Sequence, residues 1–328
     1  MDTSGGPVME GRLRIAARVS AACALVAVVA GSWTALDLGL LLGPVAMRGS
    51  ARGTALVLAV VAVPLLLASM SRAARGSSAA VVVWGGALLY CLYNALLLLF
   101  LTPFNAAFLA YVALLGTTLW SLGTLLAATG LHEVGSRFSK RAPARGVAAY
   151  AWLVGGLNVL LWLGTVLPAS FGPFPASFLD GTGVATNAIY VQDLAFWLPL
   201  ALVAAWWLWQ RQPRGFVVVG AVLVMWVVEA LSVAVDQWWG HHQDPASSVV
   251  SSGLVVPFLV LAVVGTVPVT LLLRHAGSLW VSPRSDELGS TTEQVLEGDG
   301  DGEVVGPDPV GRCPGDEVRQ LTGGNPDP

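Results

Sequence analysis

Eight apolar blocks of membrane-spanning length are the feature that most constrains how this chain folds. A helix needs about 20 predominantly apolar residues to cross the roughly 30 Å hydrocarbon core of a bilayer. Inside that core no water satisfies the backbone N–H and C=O groups, so each spanning block is predicted to be an α-helix. The blocks cover residues 15–36, 54–71, 79–101, 106–130, 147–167, 188–210, 216–236 and 250–273.

The composition agrees with this prediction and excludes several classes of protein. Hydrophobic residues make up 55% of the 328-residue chain, charged residues make up 11%, and the mean hydropathy is +0.71. Because a soluble domain carries about 25% charged residues, a soluble globular enzyme and a nucleic-acid-binding protein are excluded. The sequence therefore predicts an all-α polytopic bundle of eight transmembrane helices in contact with the lipid bilayer.

The two ends of the chain differ from the membrane domain, which is predicted to cover residues 15–275. Residues 1–14 are predicted to be cytoplasmic, and the arginines around the start of the first block would also fit a cleaved secretory signal. Cleavage would leave seven helices; we interpret the block as an uncleaved first helix. Residues 276–328 are predicted to be a disordered acidic tail, because residues 284–328 hold eleven acidic and three basic side chains among few apolar ones.

The basic residues indicate the orientation of the helices. With the N-terminus in the cytoplasm, the cytoplasmic segments up to residue 284 contain 13 arginine and lysine residues, and the external segments contain only Arg48 and Arg52. Basic residues of short loops stay on the cytoplasmic side of a membrane. Both termini are therefore predicted to be cytoplasmic. The apolar piece 38–47 is too short to span and is predicted to be an external interfacial or re-entrant segment.

Polar side chains within the predicted helices are concentrated in the external halves. Ionisable groups inside a membrane are costly and mark candidate functional sites. No lysine or arginine lies at the depth of Glu229, so its carboxyl group must be protonated, hydrated or paired with something other than a basic side chain of the core. This one-sided distribution predicts a polar cavity open to the external face. The candidate residues for binding a small solute or cation are Glu229, Asp193, Asn94, Asn158, Tyr93, Asn187, Asn105 and Asp236.

Several of these residues also have a purely structural interpretation. Asn94 and Asn158 fit hydrogen bonds between helices, and Tyr93 fits the aromatic belt at the membrane interface. Asn187 fits an N-cap of the sixth helix. Asp193 fits a first-turn acid that the helix dipole favours. Both interpretations stay open at the level of sequence.

The remaining charged candidates lie near the predicted external surface. Asp236 fits an interface residue as well as a binding residue. Arg48 and Arg52 either reach toward Glu229 or are ordinary surface charges. The sequence does not decide between these alternatives.

The sequence predicts no cofactor and no metal site. The predicted external loop 236–244 contains His241 and His242 beside two aspartates, but adjacent histidines in a short loop rarely point at the same ion. No lysine inside a predicted helix is available for a retinal Schiff base, and the other two histidines lie on the cytoplasmic side, which argues against haem. Motifs for nucleotide binding or for hydrolysis by a nucleophilic serine or zinc are also missing from the sequence.

Two stretches resemble a family of bacterial multi-pass membrane proteins known only as uncharacterised. The first joins WGGALLYCLYN (84–94) to Phe104-Asn105 and FLAYVALL (108–115), and the second is TNAIYVQDLAFWLP (186–199). The family has no assigned activity, so the resemblance implies a polytopic architecture in a bacterial cytoplasmic membrane and no catalytic role. The stretches contain five of the candidate residues: Tyr93, Asn94, Asn105, Asn187 and Asp193.

Three functions remain as hypotheses. The leading one is a binding or transport protein with an outward-opening site, in which Glu229 and Asp193 bind a proton or cation. Prolines within the helices, among them Pro199, Pro257 and Pro268, are predicted to add kinks that free backbone carbonyls near such a site. The second is an intramembrane enzyme that uses the same carboxylates on a lipid-borne substrate, although nothing supplies a nucleophile. The third is a structural subunit that binds a protein partner through its acidic tail.

Overall fold

Long apolar helices run back and forth through the part of the chain that the computed structural model describes, residues 5–172 and 176–279. Among these residues eight helices are long and apolar enough to span a membrane, and no β-strand is formed. The predicted all-α transmembrane fold is thereby confirmed. The helices are α1 (Gly5–Leu36), α2 (Val45–Ala73), α3 (Ser78–Phe100), α4 (Phe108–Thr129), α5 (Ala144–Ser170), α6 (Ala188–Trp209), α7 (Pro213–Gln243) and α8 (Ser252–Leu273).

Helices α2 and α7 both extend well beyond their apolar blocks. Helix α2 begins at Val45 rather than at residue 54, and α7 continues to Gln243 rather than ending at residue 236. At 1.5 Å per residue, each is about 45 Å long, which exceeds the roughly 30 Å hydrocarbon core. The predicted interfacial piece 38–47 therefore ends inside α2, and most of the predicted loop 236–244 is helical.

Glycines explain why the extra turns of α2 and α7 form together. A Cβ atom added at Gly53 would lie 2.8 Å from Asp236 Cα, and one added at Gly49 would lie 2.8 Å from Gly240 Cα. Small residues allow membrane helices to pack with their backbones in contact. The polar outer turns of both helices are thus held by each other.

Two π-helical turns interrupt the α-helices, and each ends two residues before a proline. Leu58–Ala62 in α2 precedes Pro64, and Asp193–Trp197 in α6 precedes Pro199. A proline has no N–H to donate, and its ring clashes with the carbonyl four residues earlier, so a helix widens or kinks on its N-terminal side. The predicted kink at Pro199 thus takes the form of a π-turn that begins at Asp193.

The basic loops meet at one end of the bundle, which we call the basic end. The residues after α8 pair with two of these loops: Ser139 N donates to His275 O over 2.9 Å, and Leu279 N donates to Gly76 O over 2.7 Å. Residues 276–279, which the sequence analysis assigns to the tail, therefore lie against the basic loops. From residue 280 onward the tail lies outside the described residues. The opposite end, with the connections 37–44, 101–107, 171–187 and 244–251, is called the distal end.

Helix α7 is the centre of the bundle. It packs against α2, α3, α6 and α8. Helices α3 and α7 are the most buried of the eight, and α5 and α8 are the least buried. Ser232, a polar residue in the middle part of α7, is therefore fully buried among other helices.

Candidate functional site

A polar interface between α3 and α7 lies beside the candidate site. Asn94 Nδ2 donates to Glu229 Oε2 over 3.2 Å and to its own helix at Tyr90 O over 3.1 Å. One turn toward the basic end on α3, Tyr90 OH donates to Ser232 Oγ over 3.0 Å. Asn94, Tyr90 and Ser232 have no exposed surface. Asn94 therefore positions the Glu229 carboxylate, as the structural interpretation of this asparagine predicted.

A cavity of about 660 Å³ opens among the distal halves of α2, α3, α5, α6, α7 and α8. Its wall also includes residues of the distal connections, such as Phe178, Asp180 and Val249, and none from the basic-end loops. The cavity extends inward to Tyr150, Leu223 and Gly265. Six of the candidate residues line it: Tyr93, Asn158, Asn187, Asp193, Glu229 and Asp236.

Asp193 projects into this cavity from the π-turn of α6. Trp162 Nε1, on α5, donates to Asp193 Oδ2 over 2.8 Å. The phenol of Tyr93, on α3, also interacts with the Asp193 carboxylate. The carboxylate is half-buried and is held by helices on both sides of α6.

Asp236 and Glu229 line the cavity from α7. Asp236 accepts a hydrogen bond from Gln237 Nε2 over 3.0 Å and also interacts with Thr54 of α2. It lies two turns before the end of α7, where the close approach of Gly53 leaves it half-buried. Asp236 therefore faces helix α2 as well as the cavity.

Three candidate asparagines make local hydrogen bonds. Asn187 caps α6, because its Oδ1 accepts from Ile189 N over 2.9 Å, and it also lines the cavity. Asn158 donates to Val154 O of its own helix over 3.0 Å, and it also lines the cavity. Asn105 lies in the connection before α4, where Nδ2 donates to Pro103 O and Oδ1 accepts from Ala107 N. Asn105 and Asn94 do not line the cavity.

The two distal arginines do not reach the cavity. Arg52 is buried, and its Nε and Nη2 atoms both donate to Ala35 O near the C-terminal end of α1, each over 3.0 Å. Arg48 Nε is buried and has no hydrogen-bond partner among the described residues. Both arginines line a separate cavity of about 290 Å³. The described wall of the larger cavity contains no arginine, lysine or histidine side chain.

Eight aromatic residues line the cavity, and of these the sequence analysis names only Tyr93 as a candidate. Trp162 packs on Tyr190 with ring centroids 4.7 Å apart, and Phe178 lies 5.3 Å from Tyr190. Trp197 lies 6.1 Å from Tyr93. A usable signal was the spacing of four that puts Trp162 on the same face of α5 as Asn158.

The two histidines of the predicted loop 236–244 lie on the last turn of α7. The imidazole ring of His242 stacks on the indole ring of Trp238, one turn earlier on the same helix, with a centroid distance of 5.5 Å. No group of three or more histidine, cysteine, aspartate or glutamate side chains that could hold a metal ion occurs in the described ranges.

Comparison of the chain with protein-family models, with curated proteins and with solved structures gives no match. The resemblance of residues 84–94 and 186–199 to uncharacterised bacterial membrane proteins therefore stays a prediction.

Proposed function

We propose that this chain is an integral protein of a bacterial cytoplasmic membrane that binds a small solute, coupled to a proton or cation, in the distal cavity. One observation carries the proposal. A cavity of about 660 Å³ has Asp193, Glu229 and Asp236 in its wall and no basic side chain among the described lining residues. Small-molecule sites typically enclose about 300–1,000 Å³.

The size of the cavity argues against a purely structural role. Protein interiors are close-packed, so a space of this size among the helices is unusual for a protein with a purely structural role. Carboxylates inside a helix bundle are costly unless they are hydrated, protonated or paired with a cation. Three carboxyl side chains around one such space therefore favour a binding function.

The depth of Glu229 favours transport as the purpose of binding. It lies 16 residues after the start of α7 and 14 before its end, in the middle third of the helix. Substrate and coupling-ion sites of many transporters lie well inside the bilayer, near its midplane. Asp193, in the first two turns of α6, lies nearer the distal mouth. The two carboxylates thus give a solute an outer and a deeper contact.

The orientation belongs to the same proposal. Basic residues favour the cytoplasmic side, so the basic end and both termini would face the cytoplasm and the distal cavity would face outward. A solute would then enter from outside the cell.

Thiol labelling in intact cells tests outward access. The variant Asn158→Cys, made with Cys313→Ser, places a thiol in the cavity wall, while the native Cys23 and Cys91 are buried. We expect a small membrane-impermeant methanethiosulfonate to modify residue 158 in intact cells. The fully buried Leu114, which lies outside the cavity wall, provides a control in Leu114→Cys, which should stay unmodified. Absence of labelling at residue 158 in a folded, membrane-inserted variant would contradict the proposal.

A further inference from the structure

The walls around Asp193 form an aromatic enclosure. Trp162 donates to the carboxylate over 2.8 Å, and the Tyr93 phenol interacts with it. Trp162 is paired with Tyr190, and Tyr93 with Trp197, at centroid distances of 4.7 and 6.1 Å. We call the four rings of Tyr93, Trp162, Tyr190 and Trp197 the aromatic cage; all of them line the cavity.

The carboxyl groups and aromatic rings around the cage favour a positively charged ligand. Glu229 and Asp236 line the same cavity as Asp193. An anionic ligand would be repelled in these surroundings, and a cation would be attracted. Aromatic rings add to this preference because their faces carry negative partial charge, which holds ammonium groups.

The volume of the cavity favours an organic cation over a metal ion. A cavity of about 660 Å³ is far larger than a bare metal ion and has the volume of a small-molecule site. The rings offer an ammonium ion with attached carbon groups both an apolar surface and a cation–π contact. Methylated ammonium ions are recognised in this way by aromatic cages.

Two buried amides beside the cavity lack a partner at one atom. Asn94 Oδ1 has no hydrogen-bond partner among the described residues, although Nδ2 of the same amide holds Glu229. Gln192 Nε2 also lacks one, although its Oε1 accepts from Trp197 Nε1 of the cage over 3.0 Å. Both side chains are at least nine-tenths buried. Buried polar atoms are seldom left unpaired, and each of these amides is bonded to a lining residue of the cavity.

We infer that the solute is an organic ammonium ion, a protonated amine or a quaternary ammonium, whose charged head lies in the aromatic cage against Asp193. This inference rests on the proposed function and names its substrate class. Glu229, held by Asn94, is the deeper carboxylate of the same cavity. Asp193 pairs with the ligand, while Trp162 and Tyr93 keep its carboxylate turned into the cage.

Charge-selective labelling at residue 158 gives the first test. The Asn158→Cys, Cys313→Ser chain is treated with a trimethylammonium methanethiosulfonate and with a sulfonate analogue. We expect the ratio of the cationic to the sulfonate labelling rate at residue 158 to exceed the ratio at an exposed reference position by at least about tenfold, because ionised carboxylates in the wall attract the cation. Ala185, exposed in the distal connection outside the cavity wall, gives the reference ratio in Ala185→Cys. A ratio at residue 158 no greater than that at residue 185 would overturn the inference.

Protection by choline gives the second test. Choline should slow labelling at residue 158 in the purified full chain, whereas dimethylbutanol, the uncharged isostere with carbon in place of nitrogen, should not. Tyr190→Phe keeps the ring and should retain protection. Tyr190→Leu should weaken it by about 5- to 30-fold, the range expected for one cation–π contact. Trp120→Leu changes a lipid-exposed tryptophan outside the cavity and should have no effect.

The outcomes separate the two proposals. If residue 158 is labelled from outside but the uncharged isostere protects as well as choline, the cavity still binds a solute and the cation class is wrong. If neither choline, tetramethylammonium nor methylammonium protects at any concentration up to 100 mM, the cage does not bind ammonium ions and the inference is also overturned. If residue 158 is not labelled at all, the proposed function itself fails.

Discussion

The amide of Asn94 spans the contact between α3 and α7, and its Nδ2 donates at once to Tyr90 O and to Glu229 Oε2. Both N–H groups of this amide are therefore used, one to fix its own orientation and one to hold the carboxylate. Neither α3 nor α7 supplies a basic side chain at this depth. The Glu229 side chain is thus kept at the cavity wall by a neutral partner.

Removing this partner should destabilise the protein. Asn94→Leu leaves Glu229 Oε2 without its donor in a buried interface, which costs about 1–3 kcal/mol. Thermal unfolding of the purified full chain in detergent measures the loss. Asn158→Leu is the matched control, because Asn158 donates only within α5; it should unfold within a degree or two of the wild type.

The double variant Asn94→Leu, Glu229→Leu gives the stricter comparison. Replacing both partners by apolar groups removes the unpaired carboxylate, so the double variant should be more stable than the sum of the two single losses implies. Strict additivity would show that the two side chains do not interact.

The contact between α2 and α7 leads to a second prediction. A Cβ atom at Gly53 would lie 2.8 Å from Asp236 Cα and 2.9 Å from Val235 O, and both neighbours are backbone atoms that cannot rotate away. We expect Gly53→Ala to separate the helices at this point and to lower the free energy of unfolding by about 1–3 kcal/mol. Gly123→Ala provides the control. No atom lies within 4 Å of its added Cβ, and alanine is the better helix former by about 1 kcal/mol, so this variant should be as stable as the wild type or more so. Equal stability of the two variants would contradict the close packing.

The membrane helices could be predicted because a spanning helix needs about 20 apolar residues, and such blocks are visible in the sequence. The outer turns of α2 and α7 could not be predicted in this way. They carry Arg48, Arg52, Asp236 and the two histidines, so hydropathy falls before the helices end. These turns are stabilised by the backbone contact of Gly49 and Gly53 with α7. The sequence shows two glycines four residues apart, but it does not show which helix packs against them.

The candidate site could also be predicted only in part. The depth of Asp193, Glu229 and Asp236 along their helices follows from sequence alone, and all three line one cavity. Apart from Tyr93, the aromatic residues of the wall were missed because a tryptophan such as Trp162 also fits the membrane interface. Trp162 lines the cavity because α6 packs on the face of α5 that carries this tryptophan. A single sequence does not show which helices are neighbours.

The orientation of the bundle gives a third prediction. In intact cells of the Cys313→Ser background, an impermeant maleimide should label Ala185→Cys, which is exposed at the distal end. It should label Ser139→Cys, exposed at the basic end, only after the cells are permeabilised, because the basic loops are retained in the cytoplasm. The reverse pattern would place the cavity on the cytoplasmic side and invert the proposed direction of entry.

Arg52 and Arg48 provide the last prediction, since they lie one turn apart on α2 and differ in their partners. Arg52 donates twice to Ala35 O, a carbonyl in the last turn of α1, where helical hydrogen bonds run out and the helix dipole favours a cation. Arg52→Ala should cost about 1.5–3 kcal/mol, the range for a hydrogen bond to a charged group.

Arg48 is the matched control because its buried Nε has no partner among the described residues. Arg48→Ala should unfold at or above the wild-type temperature. Neither variant should change the protection of residue 158 by choline, because both arginines line the smaller cavity and not the larger one. A loss of protection in Arg52→Ala at temperatures where the protein stays folded would mean that this guanidinium acts on the carboxylates after all, and the neutral support of Glu229 by Asn94 would then be an incomplete account of the site.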